Sequence, residues 1–316
     1  MSRLVSSATV AVVGLTCKAV LSSGFCSLTV NGLPILRNAL ESAARDRGQG
    51  VLTVANHIST LDDPVAWGIL PAHYYFRSRT TRWALGASDI MFTNPFFSTF
   101  FRLGQTLETF RGNGIHQPAV DYAIEQLDKG GWVHLYGEGK VNQPHTYPQD
   151  EKGLAHLPRF KWGVGRMVME STTPPVIIPM WLTGFDQLMP EGRAFPYKYF
   201  PRPGAELSVT FGDPIPADTI RQGLLPSTSP LSSDVLDPSL VKAGEEAKGW
   251  AGEDVRRNMD QRKLEMSEAG ESPARLRSTA EELPLIRSRV TSIIHDAVED
   301  LGRSVSGRLL CAPRRR

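Results

Sequence analysis

Short, uninterrupted apolar runs alternate along this chain with stretches in which apolar residues recur every three to four positions. Buried strands separated by covering helices give that pattern. Val51–Ala55, Trp132–Tyr136 and Val176–Trp181 are apolar at nearly every position, so each predicts a strand covered on both faces. Shorter strands are expected at Leu28–Val30, Arg82–Gly86 and Leu207–Phe211, with another running from Leu103 to a glycine-rich turn at Arg111. Between them the spacing predicts a helix from Pro34 to about Arg45. A second runs from Pro118 to Lys129, with Val120, Ala123, Ile124 and Leu127 on one face, and a third opens near Arg159 toward Glu170. Phe92, Phe96, Phe97, Phe100 and Phe101 also share a helical face, which reads more readily as core than as a lipid-binding stripe, with the membrane alternative left open. The alternation describes an α/β domain.

Both ends of the chain depart from this pattern. Leu4–Val30 is mostly apolar or small, with Lys18 in its middle and no acidic residue before Glu41. No unbroken apolar span of about 20 residues is present, so an interfacial or shallowly inserted helix fits better than a spanning one; a plain buried helix is the competing reading. Residues 143–157 read as a surface insertion. Residues 217–275 are rich in Ser, Pro, Glu and Lys and read as a partly ordered linker. Beyond Pro284, Ile286, Val290, Ile293, Ala297 and Leu301 predict a helix of about five turns docked on the domain, followed by a basic end at Arg314–Arg316. The expected division is a membrane-associated segment (1–30), the α/β domain (31–216), a linker (217–275) and a helical extension (276–316).

With 316 residues, 41% apolar and 22% charged, the chain can bury one sizeable core. Its net charge of +2 argues neither for nor against nucleic acid. Cys17, Cys26 and Cys311 have no zinc-like spacing and suggest no disulfide framework.

The chemistry concentrates after the first buried run, in Asn56-His57-Ile58-Ser59-Thr60-Leu61-Asp62-Asp63-Pro64. Thr60 as N-cap with Asp63 three residues on forms a capping-box-like pair, with Pro64 in the first helical turn. His57 then lies at the carboxyl end of a strand and Asp62 in the helix's first turn, close enough for the carboxylate to accept from one imidazole nitrogen. That contact fixes the tautomer and leaves the other nitrogen to take a proton from a hydroxyl. Equally, both aspartates could complement the helix dipole and His57 be an ordinary loop histidine. No G-x-S-x-G accompanies the histidine, so as a base it would activate a substrate hydroxyl directly.

Three further segments carry candidate groups. Arg111, at a strand end beside Gly112 and Gly114, can offer a bidentate fork to a phosphate. Gly137-Glu138-Gly139-Lys140-Val141-Asn142 follows a buried strand; its glycines allow close approach of an anion, Lys140 adds charge, and Glu138 can orient a hydroxyl or a partner such as Arg111. Phe195–Arg202 mixes aromatics with cations in a Pro-bounded loop, as a surface at lipid headgroup level does. That loop and the N-terminal helix should lie on the same side as His57.

With the Asn56–Pro64 block, Arg111-Gly112, Glu138–Asn142, the block from Arg159 to Arg166 and Pro179-Met180-Trp181 in this order, residues 10–216 resemble the glycerophospholipid acyltransferase superfamily. Within it they look most like the mitochondrial transacylases that remodel cardiolipin. The resemblance implies a mixed central sheet flanked by helices, with His57 as general base and Asp62 orienting it. It implies substrate binding by Asn56, Arg111, Glu138, Gly139, Lys140 and Asn142. It also implies phosphatidylcholine, monolysocardiolipin and cardiolipin as substrates, a membrane surface as partner, no nucleic acid, and neither cofactor nor metal; oligomeric state is left open. The implied location is the mitochondrial inner and outer membranes, facing the intermembrane space. Members usually carry Phe-Pro before the glutamate, where Tyr136-Gly137 stands here, which should loosen the turn that aims Glu138. An acyl-CoA-dependent acyltransferase, a phospholipase and an idle membrane scaffold are the alternatives.

Overall fold

A computed structural model describes residues 3–161, 163–225, 246–268 and 279–307. Trp162, Cys311, Arg314–Arg316 and the middle of the expected linker lie outside the described residues. Seven strands form one sheet: β1 (Ser27–Asn31), β2 (Val51–Ala55), β3 (Trp83–Ala87), β4 (Thr106–Thr109), β5 (Trp132–Tyr136), β6 (Val176–Thr183) and β7 (Glu206–Phe211). Their order is β1-β7-β6-β2-β5-β3-β4. Neighbours are parallel except β6 and β7, so the sheet is mixed, as expected. All five residues of β2 are buried, which is why its sequence runs apolar without alternation.

The single antiparallel pairing decides what gathers at one sheet edge. β2 through β6 end there, and because Thr183 pairs with Ser208, β7 begins there. β1, parallel to β7, begins there too, with Ser27 opposite Glu206. The end of the N-terminal helix, the 195–202 loop and the residues after β2 therefore share this edge, as the sequence reading required. The carboxyl edge of an open α/β sheet is where ligands bind.

Helices α1 (Arg3–Ser22), α2 (Leu33–Glu41), α3 (Asp62–Val65), α4 (Ser88–Met91), α5 (Pro95–Leu103), α6 (Pro118–Asp128), α7 (Gly163–Glu170) and α8 (Phe185–Leu188) cover and connect the strands. Three more follow: α9 (Ala217–Gly223), α10 (Gly249–Glu268) and α11 (Thr279–Ser306). α1 lies along α3, α5 and the short 3-10 segments at Ala66–Ile69 and Ala72–Phe76. Gly14 allows that approach, since a Cβ there would meet the Tyr75 ring at 2.6 Å. Lys18, the cation inside the apolar run, donates to the Gly68 and Leu70 carbonyls at 3.3 and 3.0 Å. Val10, Ala11, Cys17 and Leu21 face inward, while Leu4, Val5, Val12, Leu15 and Val20 are exposed.

Four expectations change. The phenylalanine face is not core: α5 has no buried residue and Phe96 is 75% exposed, because the helix packs its other side on α1 and β4. The strand expected from Leu103 starts only at Thr106, after Gln105 turns the chain at φ 60°. The 143–157 segment is no loose insertion: Tyr147, Ala155 and Leu157 are in the core, and His156 Nδ1 meets Glu299 Oε1 of α11 at 2.9 Å. The linker region carries α9 and the 20-residue α10, and α11 runs 28 residues with Pro284 in its early turns, packed on β6, α7 and α9.

Candidate active site

β2 stops at Ala55, and the next seven residues make a closed corner around one carboxylate oxygen. Asp62 Oδ2 accepts from His57 Nδ1 at 2.8 Å, from Ile58 N at 2.7 Å and from Ser59 N at 2.9 Å. Asp62 has no solvent exposure, and burial raises its carboxyl pKa against the pull of His57 and the two amides. With Nδ1 as donor to Asp62, Nε2 is left as the basic nitrogen. Nε2 makes no hydrogen bond among the described residues, and the side chain is 20% exposed. The ring is sandwiched from beneath by Tyr136, at 4.2 Å between centroids and 17° between planes.

The capping box does not form. Leu61 occupies the N-cap position, and Asp63 leaves helical geometry at φ −109°, ψ 122°. Asp63 instead pairs with Arg82 through both oxygens, one bond being Arg82 Nε to Oδ1 at 2.7 Å. Burial alone would raise the Asp63 pKa; Arg82 more than offsets it, leaving the carboxyl below its ordinary value. Beneath the site His134 shares a 2.8 Å hydrogen bond with Thr53, and burial drives its pKa down to about 3, so the imidazole stays neutral.

The Gly137–Asn142 turn closes over the same corner. Glu138 Oε1 accepts from the His57 amide at 2.7 Å, Glu138 Oε2 accepts from Asn142 Nδ2, and the Asn142 amide donates to the His57 carbonyl at 2.7 Å. Burial pushes the Glu138 carboxyl up to about 8, despite those two donors. The loosening expected from Gly137 does not arise. Its N–H donates to Ala55 O at 3.2 Å, a bond proline could not make, and its carbonyl accepts from Lys161 N at 2.8 Å. A Cβ there would meet the Phe160 ring at 2.5 Å, so glycine is what this packing admits.

The remaining expected residues separate. Gly139 takes the left-handed backbone at φ 71°, and Gly139 and Lys140 are exposed at the mouth of the turn. Asn56 faces inward, its amide donating to Leu182 O at 3.0 Å and accepting from Leu182 N at 2.8 Å, so it ties β2 to β6. Arg111 lies beyond β4, three strand spacings or about 14 Å across the sheet from β2. There it pairs with Asp89 at 3.2 Å on the surface. A surface cavity of about 540 Å³ opens on the other side, lined by Gln143, Asp186, Glu191 and Arg202 among others. Tyr136 and Arg82 were not singled out from sequence; the signal for Tyr136 was its place as the last residue of a strand adjoining β2. Among the described residues no group of three or more His, Cys, Asp or Glu side chains is arranged to hold a metal ion.

A family model described as Acyltransferase matches residues 35–183, which takes in the His57 corner, Arg111, the Gly137–Asn142 turn and β6. Taffazin of Dictyostelium discoideum is 34% identical over 212 residues, 66% of this chain and 68% of that protein. The chain belongs to the acyltransferase family, as a relative of the tafazzins. Tafazzin of Saccharomyces cerevisiae is 35% identical to this acyltransferase over 228 residues, 61% of this chain and 58% of the yeast protein. N-acylphosphatidylethanolamine synthase of Arabidopsis thaliana is 34% identical over 226 residues, 69% of this chain and 75% of the plant protein.

Proposed function

We propose that this acyltransferase is a coenzyme-A-independent transacylase that moves acyl chains between phospholipids and lysophospholipids, remodelling cardiolipin through monolysocardiolipin. The observation that carries the reading is the His57–Asp62 pair: a tautomer fixed from behind, with the free nitrogen at the accessible edge of the sheet. His57 Nε2 takes the proton of the acceptor's free hydroxyl as that oxygen attacks the donor ester carbonyl. The tetrahedral intermediate expels the donor's glyceryl oxygen, which recovers the proton from the imidazolium. The products are an acylated acceptor and a new lysophospholipid. Asp62 orients His57 and stabilises its charge in the intermediate. Ester is exchanged for ester, so the step needs no activated donor. Arg111 and Lys140 are exposed cations suited to headgroup phosphates.

Substrates of this kind reach the enzyme from a bilayer. The outer face of α1 exposes apolar side chains, as does its packing neighbour α5 at Phe96, Phe97 and Phe100, and Phe195, Tyr197, Tyr199 and Phe200 add exposed aromatics at the catalytic edge. α1 is long and apolar enough to cross a membrane, yet one face is bound to the domain, so a monotopic seat fits it. The resemblance to the cardiolipin-remodelling transacylases supports a place on mitochondrial membranes, facing the intermembrane space.

The test is acyl transfer from labelled phosphatidylcholine to monolysocardiolipin with no coenzyme A, comparing the unaltered protein with His57→Ala and Asp62→Ala. We expect transfer by the unaltered protein and a loss of about 10³- to 10⁴-fold in both variants, with folding and membrane binding kept. Transfer that waits for added acyl-CoA would instead assign the acyl-CoA-dependent reaction. The plant relative motivates a second reading, in which the acceptor is the amine of phosphatidylethanolamine. Labelled N-acylphosphatidylethanolamine in the same assay would identify it.

A further inference from the structure

The 136–142 segment touches His57 at three places. The Tyr136 ring supports the imidazole. Glu138 takes the His57 N–H, Asn142 gives its own N–H to the His57 carbonyl, and the two side chains are joined to each other. The result is a closed ring of hydrogen bonds around the backbone of one residue, taking in its N–H and its carbonyl. Both side chains are buried, Glu138 at 3% and Asn142 at 8% exposure, so neither lies open beside Lys140 at the mouth of the turn. The remaining bond of the Asn142 amide goes to Lys140 O at 3.3 Å.

We infer that Glu138 and Asn142 are positioning residues that clamp the backbone of His57, and are not ligands of the lipid. Residues 56–61 form an irregular corner after β2, and such a segment has no ladder to fix its path. Asp62 holds the imidazole and the following two amides, but it contacts neither the His57 N–H nor the His57 carbonyl oxygen. The clamp supplies the missing constraint, fixing where Nε2 points from the end of β5. A misplacement of about 1 Å at a reacting group can cost about a hundredfold in rate, so the constraint bears on kcat. A lipid ligand at these positions would bear on KM instead.

The inference rests on His57 being the base, and its test separates the two claims. Glu138→Ala, Glu138→Gln, Asn142→Ala and the Glu138→Ala/Asn142→Ala double variant are assayed for transacylation, each with its thermal unfolding. Histidine ring nitrogens are followed by NMR in parallel, with the His57 signals assigned by their absence in His57→Ala. Glu138→Ala is expected to lower kcat about a hundredfold with KM for the lysophospholipid unchanged. Glu138→Gln restores most of that loss, since the amide still accepts from the His57 N–H and can pair with a turned Asn142 amide. Asn142→Ala, which keeps its own N–H bond to His57, lowers kcat about tenfold and serves as the second probe if Glu138→Ala does not fold. The double variant falls no lower than Glu138→Ala, because both act through one network. The His57 ring signals shift in Glu138→Ala and return in Glu138→Gln. A raised KM with kcat retained, losses that multiply in the double variant, or His57 signals indifferent to Glu138 would overturn the clamp. Absence of transacylation in the unaltered protein would defeat the proposed function, and the NMR series would still decide the clamp.

Discussion

The two corners of the sheet's carboxyl edge are built on opposite principles. At its centre, the His57 corner is held from all sides: Asp62 fixes Nδ1, Tyr136 supports the ring, and the 138–142 turn holds the peptide. At the β4 end, Arg111 sits on a glycine turn with one exposed ion pair to Asp89. Exposed pairs of that kind are worth about 0–1 kcal/mol, so Arg111 can exchange its partner at little cost. A base must be in place before the proton moves, and preorganisation serves it. On the proposed function Arg111 receives lipids of differing headgroup, and a cation with that task is better left free to turn.

The sharpest test of the first corner separates orientation from charge. Every hydrogen bond to Asp62 lands on Oδ2, and Oδ1 is buried without a hydrogen-bond partner. Asp62→Asn can therefore keep all three bonds by placing its carbonyl oxygen where Oδ2 stands. What it loses is the negative charge that stabilises the imidazolium, at the cost of an unsatisfied buried NH₂. We expect kcat to fall about 10²- to 10³-fold, less than in Asp62→Ala, with His57 unshifted in its tautomer by NMR. Equal losses in the two variants would mean that charge, not orientation, accounts for the whole contribution of Asp62.

That corner was legible in the sequence because its contact is local. His57 and Asp62 are five positions apart, and a strand followed by a helix leaves few ways to place them. The central strands were legible for a related reason, since burial on both faces makes them apolar at nearly every position, with Thr53 and His134 bonded to each other. The clamp was not legible: Glu138 lies 81 positions from His57, and a glutamate between glycines reads as a ligand until its neighbours are known. The bonding of Asn56 was not legible either, for only the β6 register shows its amide meeting Leu182. The α5 phenylalanines failed for a different reason. A helical stripe facing a membrane has the same period as one facing a core, so periodicity finds the face and not what covers it. The Ser-, Glu- and Lys-rich composition before α11 concealed α10, whose stability comes from packing on α7 rather than from its own apolar content.

The second corner is tested by moving Arg111 and its partner separately. Arg111→Ala should raise KM for phosphate-bearing acceptors about tenfold, leaving kcat and thermal stability nearly unchanged, as loss of one charge-assisted hydrogen bond would. Asp89→Ala releases Arg111 without removing it. KM should then stay level or fall up to about threefold, with a stability change within about 0.5 kcal/mol. If Arg111→Ala lowered the melting temperature and left KM alone, the pair would be structural and the contrast between the corners would collapse.

The smallest expected effect on activity sharpens the same contrast through pH. Burial raises the Glu138 carboxyl to about 8, against the pull of its two donors, the His57 amide and Asn142; the Asp62 charge adds a smaller push upward and Lys140 a smaller one downward. The unfolded chain ionises this carboxyl near its ordinary value of 4.5, so between that pH and about 8 the folded state binds more protons. Stability contributed here is present below the unfolded pKa and is lost as pH rises toward 8. Glu138→Gln cannot ionise and escapes the loss. Its melting temperature relative to the unaltered protein should therefore climb steadily from pH 5 to pH 8, while its transacylation stays within a few-fold. Arg111 and Asp89, solvated at the other corner, should show no such divergence when substituted. A melting difference for Glu138→Gln that is flat across this range would mean that the carboxylate is already ionised at pH 5. The clamp would then hold His57 with a full charge, and the glutamine would be expected to restore less of the rate lost in Glu138→Ala.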